Sequence, residues 1–226
     1  MFFNLLGYPT HFGQVECIKL VSSKDYTQKR IGYLGISQLL DENSDILMMA
    51  TNCIKKDLNA KEGFVIALGL TAIAECSTTE MCRELYPEVK RLMKSPSGYI
   101  RQRATLSAIR TLRNIPDAIE DFLEVLEPLI QDKHQSVVLS VVTLMNEIIR
   151  IDASYAKTFR TYVPGLVRVL KSLLMSGYAP EYEIGGVKDP FLQVKILELL
   201  ARIGAGNADA SDEMSDILAQ IATNTE

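Results

Sequence analysis

The stretch Ile100-Arg101-Gln102-Arg103-Ala104-Thr105-Leu106-Ser107-Ala108-Ile109 decides the fold class. Ile100, Ala104, Leu106, Ile109 and then Leu112 follow the three- and four-residue spacing that places side chains along one side of an α-helix, whereas a strand would need strict alternation. The stretch is bracketed by Ser95-Pro96-Ser97-Gly98 before it and Asn114-Ile115-Pro116-Asp117 after it, both of them turn compositions. The same spacing returns in Ile31, Leu34, Leu39, in Val65, Leu68, Ile73, in Val138, Val141, Val142, Met145, Ile148 and in Val194, Leu197, Leu200, Ile203. The chain therefore reads as all-α, with helices about 12 to 18 residues long and no convincing alternating strand. Ser44, Asp117 and Ser211 are expected N-caps, and Gly204 an expected C-terminal cap.

The pattern repeats. The 100–109 stretch can be laid on Val194-Lys195-Ile196-Leu197-Glu198-Leu199-Leu200-Ala201-Arg202-Ile203, a β-branched residue and then a cation opening each helix. Pro87-Glu88-Val89-Lys90-Arg91-Leu92-Met93-Lys94 matches Pro164-Gly165-Leu166-Val167-Arg168-Val169-Leu170-Lys171 in its Pro, apolar, Arg and Lys positions. About five units of roughly 35 to 37 residues, each a helix pair, fit this spacing, beginning near Asp25, Ala60, Pro96, Lys133 and Lys188. The expected architecture is one continuous α-solenoid of HEAT/armadillo-like helix pairs over 1–226, which buries a continuous core and leaves two broad faces. Pro87, Pro128 and Pro164 are expected in the first turn of second helices, where a missing N–H costs little. Gly35, Gly69, Ala72 and Ala108 are expected where first helices approach their neighbours closely. The segment 175–189, with Gly177, Pro180, Gly185 and Gly186, is expected to be an inserted surface loop.

Composition narrows function by exclusion. The net charge is −4 from 24 Lys and Arg against 28 Asp and Glu, so nothing marks nucleic acid as a partner. Uncharged stretches such as 63–74 and 134–146 fall short of the roughly 18 to 20 apolar residues that cross a bilayer. The N-terminal Met1-Phe2-Phe3-Asn4-Leu5-Leu6-Gly7 has neither a basic region nor a small-residue cleavage site, and a cytoplasmic protein is expected. Cys17, Cys53, Cys76 and Cys82 make no C-x-x-C pair and read as buried or half-buried free thiols. His11 and His134 have no partner at ligand spacing, and Gly32, Gly35, Gly204 and Gly206 form no phosphate-binding loop. No catalytic, cofactor-binding or metal residue is expected, and the chain does not read as an enzyme.

The charge distribution says more than its sum. Segment 89–113 holds Lys90, Arg91, Lys94, Arg101, Arg103, Arg110 and Arg113 and no acid, while 117–132 holds Asp117, Glu120, Asp121, Glu124, Glu127 and Asp132 and no cation. At about 100° per residue Arg103 and Arg110 stand about 20° apart on a helix, with Arg113 adjacent. Lys90, Arg91, Lys94, Arg103, Arg110 and Arg113 are the candidate contact for an anionic partner or membrane, against the plainer reading that a solenoid pairs basic and acidic helices. Lys29-Arg30 and Lys55-Lys56 read as small solvated patches, and Met48, Met49 and Phe64 as core.

Several stretches resemble the trunk of the gamma-adaptin family. They are Leu6-Gly7-Tyr8-Pro9-Thr10-His11-Phe12-Gly13-Gln14, Lys29-Arg30-Ile31-Gly32-Tyr33-Leu34-Gly35, Thr51-Asn52-Cys53-Ile54-Lys55-Lys56-Asp57-Leu58 and Met175-Ser176-Gly177-Tyr178-Ala179-Pro180-Glu181. Asp189-Pro190-Phe191-Leu192-Gln193-Val194-Lys195-Ile196-Leu197 and Asp216-Ile217-Leu218-Ala219-Gln220-Ile221-Ala222-Thr223-Asn224-Thr225-Glu226 complete the set, so the resemblance spans essentially the whole chain.

The resemblance implies a large subunit of the heterotetrameric clathrin adaptor of the trans-Golgi network and endosomes. Such a subunit scaffolds cargo selection and coat assembly. It would hold a sigma-type small subunit, pack with a beta-type large adaptin and a mu-type medium subunit, and be recruited peripherally to membrane by an Arf-family GTPase. Compared with that family the chain is expected to be cut at both ends. Preceding trunk helices, the hinge and the ear fall outside it, and clathrin would be met through regions absent here. Periodicity alone would fit a generic helical-repeat binding scaffold or another adaptin-type large chain equally well.

Overall fold

A computed structural model describes residues 2–40, 45–175 and 181–224, and they fold as two compact units, Met1–Glu120 and Asp121–Glu226. Residues 176–180, with Gly177 and Pro180 of the expected loop, lie outside the described residues, as does the expected cap Ser44.

The first unit runs α1 (Phe2–Leu5), α2 (His11–Val21), α3 (Tyr26–Leu39), α4 (Asp45–Met48), α5 (Thr51–Leu58), α6 (Gly63–Cys76), α7 (Thr79–Met93) and α8 (Gly98–Asn114). A 3-10 turn, Pro116–Ala118, follows. Within the unit α3, α6 and α8 pack side by side in one row, α5 and α7 lie in a second row against them, and α2 covers α3. The core is aliphatic and fully closed at Ile36, Ile54, Leu58, Leu70, Ile73, Leu85, Val89, Ala104, Ala108 and Leu112.

Local chemistry sets the ends of these helices. Asp25 caps α3 by accepting from the Thr27 N–H at 3.0 Å, and Thr78 caps α7 through Met81 at 3.2 Å. Close approach explains the small residues. A Cβ on Gly32 would meet the backbone of Cys17, Leu20 and Val21, one on Gly35 would overlap the Cys17 Sγ, and one on Gly69 would press on Leu58. Gly32 is the tightest of the three because the obstacle is main chain, which cannot turn aside as a side chain can.

The second unit takes in nearly all of α9 (Ile119–Ile130), then α10 (Gln135–Ile151), α11 (Tyr155–Phe159), a 3-10 turn (Arg160–Tyr162), α12 (Val163–Met175), α13 (Pro190–Gly204) and α14 (Ala208–Asn224). Here α10 packs on α13, and α12 on α13 and α14. Between α12 and α13 a two-residue hairpin pairs β1 (Glu183–Ile184) antiparallel with β2 (Val187–Lys188), turning through Gly185 and Gly186 at φ +58° and +80°. Asp189 ends the hairpin in the left-handed region at φ 41°, donating its N–H to the Tyr182 carbonyl at 2.7 Å while its carboxylate accepts from Leu192 at 3.2 Å to cap α13.

Several sequence expectations are corrected. Pro87 and Pro128 lie inside α7 and α9, and of the three only Pro164, the second residue of α12, takes a first turn. Both interior prolines face solvent, where water can take the carbonyl that the missing N–H leaves unbonded. Asp117 lies within the 3-10 turn. Asn207, not Ser211, caps α14, accepting from the Ala210 N–H at 2.9 Å, while the Ser211 hydroxyl donates back to the Asn207 carbonyl. Gly204 is the last residue of α13 and a close approach rather than a turn, since a Cβ there would overlap the Met214 methyl. The left-handed residue is Gly206, at φ +69°. Met49 and Phe64 are 67% and 51% exposed, with Phe64 set edge-on to Tyr26 at 4.7 Å.

Candidate functional site

The basic residues singled out in the sequence occupy two helices of the first unit: Lys90, Arg91 and Lys94 near the end of α7, and Arg103, Arg110 and Arg113 along α8. Arg91 reaches along the second row to the end of α5. Its Nε donates to Glu88 at 3.0 Å, and its Nη2 donates to the Leu58 carbonyl and Asn59 Oδ1 just past the end of α5. Arg103 turns toward α6, donating to Thr71 Oγ1 at 3.4 Å, with its guanidinium carbon 5.4 Å from the centre of the Tyr99 ring. Arg110 is half-buried, its Nε and Nη2 closed off from solvent. Lys94 and Arg113 are exposed. Arg91 and Arg103 are thus held by different neighbours. Arg101, the seventh of the run, bonds the Ser95 and Pro96 carbonyls that lead into α8.

A polar cluster that the sequence reading missed lies deeper. Lys29, read as part of a solvated basic pair, is 7% exposed; its ammonium donates to both Asp57 oxygens, at 2.9 and 2.8 Å, and to the Val21 carbonyl. The Tyr33 hydroxyl donates to the same carboxylate at 2.7 Å. Burial, reinforced by the Asp57 charge, pushes the Tyr33 phenol far above its ordinary range. Lys29 and Tyr33 stand four residues apart on α3 and Asp57 comes from α5, so the cluster ties the end of α2 to both helices. The available signal was the helical register: Lys29, Gly32, Tyr33 and Ile36 share the buried side of α3.

Among the described residues no group of three His, Cys, Asp or Glu could hold a metal ion, and no helix is long and apolar enough to cross a membrane. Cys17, Cys76 and Cys82 are buried free thiols and Cys53 is half-buried.

Comparison with known proteins supplies what this geometry does not. The model of the adaptin N terminal region matches residues 1–226. The AP-1 complex subunit gamma of Dictyostelium discoideum is 46% identical over 226 residues, covering all of this chain and 25% of that protein. The AP-1 complex subunit gamma-1 of Mycosarcoma maydis is 47% identical, covering all of this chain and 26% of the relative. The human AP-1 complex subunit gamma-like 2 is 42% identical, covering all of this chain and 29% of its own length. The chain thus spans about a quarter of the length of the curated relatives it matches.

Among structures, a homology model of the full-length AP-3 complex in an intermediate open conformation superposes on all of this chain and 37% of the matched one, with TM-score 0.75 at 21% identity. A computationally designed armadillo repeat protein for modular peptide recognition superposes on 90% of this chain and 87% of its own, with TM-score 0.54 at 15% identity. At those identities the structures carry the fold alone, an all-α array of the solenoid class. With the family model matching from the first residue to the last, the chain belongs to the adaptin N-terminal region family.

Proposed function

We propose that this chain is a section of the trunk of a gamma-type large subunit of a heterotetrameric clathrin adaptor, a single continuous solenoid segment with no chemistry of its own. The observation that carries the reading is the match along all 226 residues to AP-1 gamma subunits at 42 to 47% identity. The proposed assembly contains a sigma-type small subunit, a beta-type large adaptin and a mu-type medium subunit. It is recruited peripherally to trans-Golgi and endosomal membranes by an Arf-family GTPase, and clathrin is engaged through regions outside this chain. Lys90, Arg91, Lys94, Arg103, Arg110 and Arg113 are proposed as the contact for an anionic partner or membrane. Exposure of Lys94 and Arg113 supports the proposal, while the ties of Arg91 and Arg103 to neighbouring helices assign those two a structural share.

The test is co-purification of the tagged parent polypeptide from its own cells. Recovery of a sigma-type small subunit together with a second adaptin in stoichiometric amounts is the expected result. Recovery of neither would leave a generic helical-repeat scaffold as the better reading.

A further inference from the structure

In the first unit a groove runs between α3 and α6. The rings of Tyr26 and Phe64 meet edge-on at 4.7 Å in the first turns of the two helices, so α3 and α6 lie side by side and run in the same direction. Beyond that contact a recess of about 190 Å³ takes one face of each helix over two turns, from Arg30 to Ser37 on α3 and from Leu68 to Glu75 on α6, at spacings of three and four. Leu34, 48% exposed, and the half-buried Leu68 give it apolar walls, and the small Ala72 adds little bulk.

The two ends of the groove differ in charge. With Tyr26 level with Phe64, Arg30 is level with Leu68, and Glu75 lies seven residues further on, a rise of about 10 Å. Arg30 and Glu75 are both exposed, and among the described residues neither makes a hydrogen bond or ion pair. Arg103 reaches the same groove from α8 but is engaged by Thr71 and the Tyr99 ring. The hydroxyls of the groove are engaged too. Tyr33 donates to Asp57, Ser37 to the Leu34 carbonyl at 3.1 Å and Thr71 to the Ala67 carbonyl at 2.8 Å. No hydroxyl proton is left for the carbonyls of an extended main chain laid here, whereas a helix arrives with its main chain already paired.

We propose that this groove seats an amphipathic α-helix of a partner protein. Two aliphatic side chains of that helix lie over Leu34 and Leu68, and on the same face, two turns apart, a carboxylate meets Arg30 and a cation meets Glu75. The opposite charges at the two ends fix which way round the helix lies. An anionic lipid surface would meet like charge at Glu75 and leave the apolar walls unmatched. The inference does not rest on the adaptor reading, and its failure would leave subunit co-purification untouched.

The test is fluorescence anisotropy of the 226-residue chain with a labelled peptide held helical by a lactam bridge on its outer face. Its inner face carries glutamate, leucine, leucine and lysine at i, i+3, i+4 and i+7, the spacing of the groove itself. Saturable binding below about 1 mM is expected. Arg30→Glu and Glu75→Lys should each weaken it about fivefold or more, the upper range for an exposed ion pair, and Leu34→Asp about tenfold. A peptide with lysine in place of its glutamate should bind Arg30→Glu better than it binds wild type. Lys56→Glu, exposed on α5 in the other row, should change binding less than about twofold. Thermal melts establish that each variant is folded, and the two exposed charge reversals decide the matter if Leu34→Asp is not. No saturation by about 1 mM, or equal binding by wild type and folded Arg30→Glu and Glu75→Lys, overturns the proposal. So does equal binding of an unbridged peptide with a central proline, which would make the ligand extended. A dimer of the chain that Leu34→Asp abolishes in light scattering would give the groove to a second copy and overturn it as well.

Discussion

At the scale of single residues, the ion pair between Lys29 and Asp57 is where charge and burial meet most sharply, with side chains only 9% and 10% exposed. Removing water from two ions is expensive, and the expense is recovered only when every donor and lone pair is used. Here the ammonium has three acceptors, and the carboxylate takes both the ammonium and the Tyr33 hydroxyl. Deleting one partner leaves the other charge buried without its counterion, which costs about 3–5 kcal/mol in comparable pairs. Asp57→Asn and Lys29→Met should each lower the melting temperature by about 6–20 °C, at roughly 2–4 °C per kcal/mol for a chain of this length. In the double variant no lone charge remains, so its loss should fall well short of the sum of the singles. Strictly additive losses in a thermal-melt cycle would show that the two groups do not act as a pair.

At the scale of elements, the start of α13 combines two opposed demands on Asp189. The carboxylate is an N-cap, which stabilises the helix, and the residue holds a left-handed φ that Asn and Gly tolerate better than other residues. Burial raises the acid above its ordinary value of 3.8, offset in part by the Leu192 N–H. For an acid raised in the folded state, the associated stability is present below the unfolded pKa and is lost as pH rises through the folded one. At neutral pH the ionised carboxylate is therefore a residual cost. Asp189→Asn keeps both the cap and the backbone conformation while removing that charge. It should be neutral or slightly stabilising at pH 7, with the advantage shrinking as pH falls toward 4. Asp189→Ala, lacking both the cap and the tolerance, should cost about 2–3 kcal/mol. Urea unfolding of the three proteins across that pH range checks both signs, and a growing Asn advantage toward low pH would refute the burial account.

The helices themselves were legible because their turns are marked by Ser95-Pro96-Ser97 and Asn114-Ile115-Pro116 and their buried sides recur every three or four residues. What local pattern cannot carry is which side of a helix meets a neighbour. Ile31, Leu34, Leu106 and Val194 fit the apolar spacing yet are 36 to 60% exposed, while Lys29 and Asp57 are polar and buried. A charge is assigned to the surface on its own account, and only the partner 28 residues away reverses that assignment. Prolines 87 and 128 misled for a related reason. Their cost depends on whether the freed carbonyl faces water, a property of packing rather than of sequence.

At the scale of the whole molecule, the net charge of −4 conceals a run of seven cations without an acid in 89–113. Any field that run projects must come from side chains that reach solvent. Lys94 and Arg113 meet that condition. Arg103, which bonds Thr71, and Arg110, whose Nε and Nη2 are shut off from solvent, meet it poorly. Reversing Lys94 and Arg113 to Glu in the assembled adaptor should therefore leave the melting temperature within about 2 °C, since exposed substitutions usually stay within about 0.5 kcal/mol. It should nonetheless weaken co-sedimentation with Arf-loaded anionic liposomes about tenfold or more, at about 1 kcal/mol per cation close to such a surface. The difference should contract as salt rises from 0.1 M, where the screening length is about 10 Å, toward 1 M, where it is about 3 Å. Arg103→Glu should show the opposite division, with a clear loss of stability. Equal sedimentation of wild type and the Lys94, Arg113 double variant at every salt concentration would remove these two residues as the contact.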